Sequence, residues 1–476
     1  MYDVLVIGAG VSGALCAREL SKYRLSVCFV DRSCDAAGGA SRANSGIVHA
    51  GFDAMPGTLK AKLNVRGCLM MPALTEELGV EYKNIPSLVV CLDEEERHVL
   101  DKLYARGVSN GVGNMRIIEK DELRELEPRV SDKAVAALYA GDAGIVCPYG
   151  LAIAAAENAV ANGADHRFSF EVKSISPTEG GYAVSNGEEI LEARYIINAA
   201  GLHADEIADM TGDRDFELYA RRGEYMLFDR KVSDCVRNVL FTLPSRLGKG
   251  ILVAPTVDGN LLIGPNAHDV EKDNTEVTSS GLDEVHAGAL RLVPTLPGLR
   301  SVITSFAGQR PTPSTGDFII RMSGTHPHVL HLAGIESPGL ASSPAVAEYA
   351  VGLLREDGLE LVPRDDFNPR RSRPVSFRTL DDEAREALIA KNPAYGRIIC
   401  RCESVTEGEI LDAIHAPLGA TTIDGVKRRT RAGMGRCQSG FCMPKVAELL
   451  ARELGVPLDE VKKHDGDSEL LVGRTK

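Results

Sequence analysis

The sequence predicts a mixed α/β chain, α+β overall: a dinucleotide-binding unit carries an interposed antiparallel sheet and is followed by a small helical C-terminal domain. Three observations carry this prediction. A glycine turn joins a strand to a helix between Val4 and Leu20, β-type segments punctuated by Pro and Gly fill positions 217 to 310, and four of the eleven cysteines crowd between positions 400 and 442.

The N-terminus opens on Val4-Leu-Val-Ile7, a short β-type run, followed by Gly8-Ala-Gly10-Val-Ser-Gly13 and the helix-forming stretch Ala14 to Leu20. A second strand, Ser26 to Val30, ends at Asp31, one helix and one strand beyond the last of those glycines. Glycines at this spacing let backbone N–H groups and a helix's positive end approach a pyrophosphate, and the carboxylate closing the second strand can accept from ribose hydroxyls. A 2′-phosphate would be repelled at Asp31, which disfavours NADP even though Arg32 is adjacent.

Further along, Leu88 to Cys91 reads as a strand and Asp121 to Glu127 as a charged helix, and Tyr195 to Asn198 is a strand that runs into Ala-Ala-Gly201. Gly250 to Ala254 and Asn260 to Gly264 are strands of the interposed sheet. His328 to Gly334 returns to the strand, glycine and helix style, with a helix around Ala345 to Leu354. The predicted boundaries are 1–83, 144–216 and 305–356 for the dinucleotide domain, and 84–143 and 217–304 for the substrate domain. A linker at 357–395 with one helix, Asp381 to Lys391, leads to a cysteine-bearing domain at 396–455 and a tail at 456–476.

Composition narrows the classes. A chain that is 44% hydrophobic and 25% charged can bury a core, and its net charge of −13 argues against a general grip on nucleic acid or anionic lipid. No apolar run reaches the ~18–20 residues of a membrane span, and Met-Tyr-Asp lacks the basic start of a secretory signal, so a cytoplasmic location without a transmembrane segment is expected. In a reducing compartment, the pairs Cys400-Arg-Cys402 and Cys437-Gln-Ser-Gly-Phe-Cys442 read as metal ligands. Structural zinc usually takes C-x2–4-C pairs, from which the C-x-C pair departs, so an iron-sulfur cluster and zinc are both open to these four thiols. Lys427-Arg-Arg429, Arg431 and Arg436 crowd the motif and are expected to stabilise an anionic cluster or to form a solvated basic face.

Several segments carry a family resemblance: Gly38-Gly-Ala-Ser-Arg-Ala-Asn44, Ser45-Gly-Ile-Val-His49-Ala-Gly51, Ile196 to Asp205, Arg222-Gly-Glu-Tyr225 and Gly334-Ile-Glu-Ser-Pro-Gly339. Over about residues 1 to 355 the chain resembles the FAD-dependent D-amino-acid-oxidase-like superfamily, within it the glycerol-3-phosphate dehydrogenase and oxidase branch and the L-2-hydroxyglutarate dehydrogenases. The cysteine motif, with Met443-Pro444 and an amphipathic Val446 to Leu454, resembles the BFD-like [2Fe-2S] domain. The resemblance implies a Rossmann-like, discontinuous FAD domain. Its cofactor contacts would be Gly8, Gly10, Gly13, Asp31, Arg32, Ser41, Ser45, Gly201, Gly334 and Gly339, and Cys400, Cys402, Cys437 and Cys442 would be the cluster ligands.

It also implies His49, in a small-residue turn against the flavin ring, as the base for oxidation of a secondary alcohol; packing on the cofactor or a covalent tether are the other roles open to it. Arg310 would bind a small anionic substrate, Lys249 would assist with a phosphate, and Ser337 would approach substrate or flavin. The expected enzyme oxidises sn-glycerol 3-phosphate and passes electrons through the cluster to a protein acceptor, such as a second flavoprotein. Alternatives on the same fold are L-2-hydroxyglutarate or a secondary amine or amino acid as substrate, and a further one is a redox-inactive assembly subunit.

Overall fold

The computed structural model describes residues 1–244, 250–471 and 473. Its first sheet is built around four parallel neighbours: Asp165–Arg167, Val27–Val30, Tyr2–Ile7 and Ile190–Asn198, with Val329–Ala333 joined in parallel to the last. Both faces are covered, so the central strand reads Val4, Leu5, Val6 and Ile7, apolar without alternation and buried throughout. Helices Val11–Leu20, Leu59–Glu77, Pro148–Ala161 and Gly339–Glu356 contribute to one apolar core with one face of this sheet. Glu157 and Asn158, the polar interruption in the third of these helices, are buried, and the linker pairs with both: Arg371 donates to Glu157 Oε2, and Asn158 Nδ2 donates to the Asn368 carbonyl at 3.1 Å. Residues 364 to 371 therefore lie along the dinucleotide domain through specific polar contacts.

The second sheet has nine strands, with the order 268–270, 218–228, 261–264, 252–255, 239–242, 87–91, 136–140 and 115–119, and Val302–Pro313 paired with Leu218–Phe228. It differs from the sequence expectation in two ways. Val239–Thr242 runs parallel to Ser87–Cys91, so the otherwise antiparallel sheet has one parallel join, where its two sequence segments meet. Val302–Pro313 pairs antiparallel with Leu218–Phe228 along nearly its whole length, so 305 to 313 lie in this sheet and not in the dinucleotide domain. Pro311 and Pro313 had masked that strand; both sit where it has only one paired neighbour, which tolerates a missing N–H.

The cysteine-bearing domain is helical, with Glu407–Ile414, Ile423–Thr430 and Met443–Leu454 around a core of Ile410, Val426, Val446 and Leu450. Thr406 and Glu409 form a capping box at its first helix, and in the linker the Asp381 side chain caps the helix Asp382–Lys391. Among the described residues no helix is long and apolar enough to cross a membrane.

Candidate functional site

At the end of the first strand, Gly8 has φ +109°, and a Cβ there would lie 2.3 Å from the Ala199 carbonyl oxygen. A Cβ on Gly13 would lie 1.9 Å from the Gly8 carbonyl oxygen, so this glycine sets the closeness of helix to strand. Gly10 differs: its Cβ would meet only the Ser41 hydroxyl, at 3.3 Å, leaving the N-terminus of helix Val11–Leu20 approachable from outside. Ser41 Oγ accepts from the Val11 N–H at 2.9 Å, and the Asp31 carboxylate accepts from Ala9 N at 2.7 Å and Ser33 N at 2.8 Å. Burial raises the Asp31 pKa against the lowering effect of those N–H groups. Arg32 instead turns outward to Asp273 at 2.8 Å, an exposed pair that draws it toward a substrate-domain loop. Gly201, at φ +61°, follows the strand Ile190–Asn198.

From Val11 and Ser41 a cavity of ≈ 820 Å³ runs between the two sheets, past Ser45 and His49, to Arg310 and the Ile335 to Gly339 loop. It brings together six predicted positions from distant stretches of chain: Ser41, Ser45, His49, Arg310, Ser337 and Gly339. His49 is largely buried, its ring lies 5.7 Å from that of Phe241, and its carbonyl accepts from Asn64 Nδ2 at 2.6 Å, which fixes the turn. Arg310 comes from the strand Val302–Pro313, opposite Arg221 on its neighbour. Burial pushes the Tyr225 hydroxyl pKa up, with Arg310 opposing, and the Tyr225 ring stacks on Phe306 at 4.8 Å. Gly334 sits at φ +65° beside Pro313, where a Cβ would lie 2.6 Å from the proline ring, and Gly339 begins helix Gly339–Glu356. Between them Glu336 accepts from Lys60 at 2.7 Å and from Thr312 at 2.9 Å, tying this loop to both domains. Lys249 lies outside the described residues.

In the C-terminal domain, Cys402 and Cys437 approach to 3.5 Å between sulfurs, and Cys400 takes a hydrogen bond from Cys442, which pulls the Cys400 thiol down to about 6 and pushes that of Cys442 up. Among the described residues the four thiols meet as two touching pairs and not as three or four groups around one point. The surrounding cations behave otherwise than expected. Arg428 and Arg429 both donate to Asp35 of the dinucleotide domain, at 2.8 and 2.7 Å, with all three side chains buried or nearly so. Arg431 pairs with Asp258 of the second sheet at 2.6 Å and with Glu403 at 2.8 Å, while Arg230 and Arg378 also donate to Glu403. These arginines share carboxylates of the dinucleotide and substrate domains and fasten the cysteine-bearing domain to both, so they are not a solvated face, and Arg230 also helps to hold the Cys400 thiol pKa down.

Residues 3–353 match the family model described as FAD dependent oxidoreductase, and residues 398–452 match the BFD-like [2Fe-2S] binding domain. The chain belongs to the FAD-dependent oxidoreductase family. It is 46% identical to the glycerol 3-phosphate dehydrogenase of Caloramator mitchellensis over 100% of its own length and 99% of that protein's. The FAD-bound, dithionite-reduced L-alpha-glycerophosphate oxidase from Mycoplasma pneumoniae superposes with a TM-score of 0.74 at 34% identity, covering 78% of this chain and 98% of that one. Human mitochondrial L-2-hydroxyglutarate dehydrogenase is 30% identical over 56% of this chain and 61% of its own.

This FAD-dependent oxidoreductase has residues that fit both of its cofactors. The cradle at Gly10, which a side chain would fill, and the open helix N-terminus suit a pyrophosphate; four thiols in two pairs suit two irons better than one zinc. Sequence reasoning did not single out several residues of the oxidoreductase's cavity: Lys60, Arg221, Phe241, Asn266 and Arg291. Arg221 carries the one usable signal, its place beside the Arg222 to Tyr225 segment; the others reach the cavity only through tertiary packing.

Proposed function

We propose that this enzyme oxidises sn-glycerol 3-phosphate to dihydroxyacetone phosphate and delivers the electrons, through its [2Fe-2S] cluster, to a protein acceptor, a second flavoprotein or other electron-acceptor subunit. The observation that carries this reading is the similarity to a glycerol 3-phosphate dehydrogenase across the entire chain, cysteine-bearing domain included. The L-2-hydroxyglutarate alternative rests on similarity over 56% of the chain. A cytoplasmic location is part of the proposal, supported by the cysteines outside the cluster motif, none of which forms a disulfide.

The cavity supports a division of labour. His49 accepts the proton of the substrate's secondary hydroxyl, its position fixed through Asn64 and Phe241. Arg310 holds the phosphate with its forked donors, with Tyr225 beside it, and Lys249 is a second candidate cation for that group. Ser337 hydrogen-bonds the substrate from the opposite wall. Bound FAD supplies the two-electron acceptor that alcohol oxidation requires, and the cluster passes electrons on singly. Gly8, Gly10, Gly13, Asp31 and Ser41 hold the ADP half; Ser45, Gly201, Gly334 and Gly339 shape the remainder of the FAD site.

The test is anaerobic mixing of the reconstituted enzyme with glycerol 3-phosphate, L-2-hydroxyglutarate and a secondary amino acid such as proline. Selective bleaching of the flavin by glycerol 3-phosphate is expected. Bleaching by L-2-hydroxyglutarate or the amino acid alone would transfer the assignment to that substrate, and bleaching by none would reject it.

A further inference from the structure

The cluster-bearing domain has one face turned into the molecule and another turned out. The inward face is fastened by Arg428, Arg429 and Arg431 to carboxylates of both sheets. On the outward side the thiols come to the surface: Cys400 and Cys442 are buried, 1% and 2% exposed, whereas Cys402 is exposed. Phe441, 82% exposed, directly precedes Cys442, whose thiol pairs with that of Cys400. A solvent-exposed phenyl ring forgoes hydrophobic stabilisation, and aromatic side chains with basic neighbours are the usual anchors of protein interfaces. The residues flanking the ligands supply those neighbours: Arg401 between Cys400 and Cys402, and Lys445 in the first turn of helix Met443–Leu454, are both exposed. Arg436, beside Cys437, is also exposed, though Asp229 partly neutralises it at 3.1 Å. Exposed cations thus flank the ligand cysteines and the exposed ring along the chain, in a protein whose net charge is −13.

We propose that Phe441, Arg401 and Lys445 form the docking site for the electron acceptor, and that this acceptor is an acidic, one-electron redox protein which seats an apolar patch over Phe441. The charge complementarity favours a negatively charged partner, because a second copy of this acidic chain is repelled overall while its basic rim attracts a carboxylate-rich surface. Contact there places the partner beside the exposed Cys402 edge of the cluster. Each docking event moves one electron from the reduced cluster to the acceptor's oxidised centre, without proton transfer or bond formation. The proposal rests on the cluster's being the electron exit, and it adds where the electron leaves and to what chemistry.

The experiment reduces the holoenzyme with dithionite, removes the excess, and mixes it in a stopped-flow instrument with plastocyanin, an acidic one-electron acceptor, or with cytochrome c, a basic one. Because dithionite replaces the substrate, a wrong assignment of glycerol 3-phosphate leaves this measurement intact. Plastocyanin is expected to react faster than cytochrome c, with a rate that falls as salt is added. Phe441→Ala is expected to lower the plastocyanin rate about tenfold, and Arg401→Glu with Lys445→Glu to reverse the preference, with the cluster's EPR signal and the flavin content unchanged. Lys445→Glu alone serves if the double variant loses iron. Plastocyanin rates unaffected by Phe441→Ala and Lys445→Glu in iron-replete protein would overturn the proposal. A Phe441-dependent dimer in sedimentation, with unaltered plastocyanin rates, would assign the face to a second copy instead.

Discussion

The two cofactor sites of this oxidoreductase are constructed in opposite ways. The cavity proposed for the flavin draws on stretches as far apart as Ser41, His49, Arg310 and Ser337, which only the completed fold brings together. The cluster site lies within residues 400 to 442, and its ligands are positioned by short loops of one small domain. Damage to a cluster ligand is therefore local, and damage to the cavity is shared among elements. The seam between them, built on Asp35 and the arginines opposite, decides whether the two sites act as one machine.

The sharpest way to separate the two sites is Cys437→Ser. Iron is expected to fall to a small fraction of the wild-type content and turnover with a protein acceptor to background, while glycerol 3-phosphate still bleaches the flavin and small dyes are still reduced; iron analysis, EPR and parallel dye assays check this. His49→Ala breaks the other side. The rate of flavin bleaching at saturating substrate is expected to drop ~10²–10⁴-fold, with iron content and EPR signal untouched.

The seam is tested by Asp35→Ala, which leaves two buried guanidiniums without their carboxylate at a cost of ~3–5 kcal/mol. Hydrogen exchange should quicken across residues 398 to 452 while the dinucleotide core stays protected. Acid should act at the same place. Burial raises the Asp35 pKa, but Arg429 and Arg428 outweigh it, so the folded carboxyl titrates below its ordinary 3.8. The contribution of this seam is complete above that ordinary value and disappears as the pH falls through the lower folded one. Wild-type exchange at 398 to 452 should quicken only below about pH 4, and Asp35→Ala should remove that pH dependence. The smallest effect is expected from Arg310→Lys, which keeps the charge and loses the fork: KM for glycerol 3-phosphate should rise about tenfold with kcat little changed.

How much of this was legible in the sequence follows the same division. The strand, glycine turn and helix around residues 8 to 13, the second strand before Asp31 and the meeting of the four cysteines were readable because each depends on spacing within short segments. The helix at Asp382–Lys391 was readable to within one residue. Residues 305 to 313 of the strand Val302–Pro313 were assigned to the dinucleotide domain, because prolines argue against a strand unless the sheet's edge is known. Nor could the basic run at 427–431 be read: a positive charge in sequence does not say which carboxylate it meets, and Asp35 lies near the opposite end of the chain. Lys60 and Phe241 reach the cavity for the same reason, through packing that no local pattern encodes.

The parallel strand Val329–Ala333, which completes the first sheet beside Ile190–Asn198, has a consequence for how the chain is made. During synthesis the opening strand and helix emerge first, yet their apolar faces must wait through most of translation for this strand and for helix Gly339–Glu356. Until then the second sheet, whose own halves join only once Val239–Thr242 has paired with Ser87–Cys91, is the larger unit able to close. Such long-range closure slows folding and leaves sheet edges exposed to aggregation. Nascent chains truncated just before Val302 are expected to engage chaperones, and those extended past Glu356 to acquire protease resistance in the N-terminal segment.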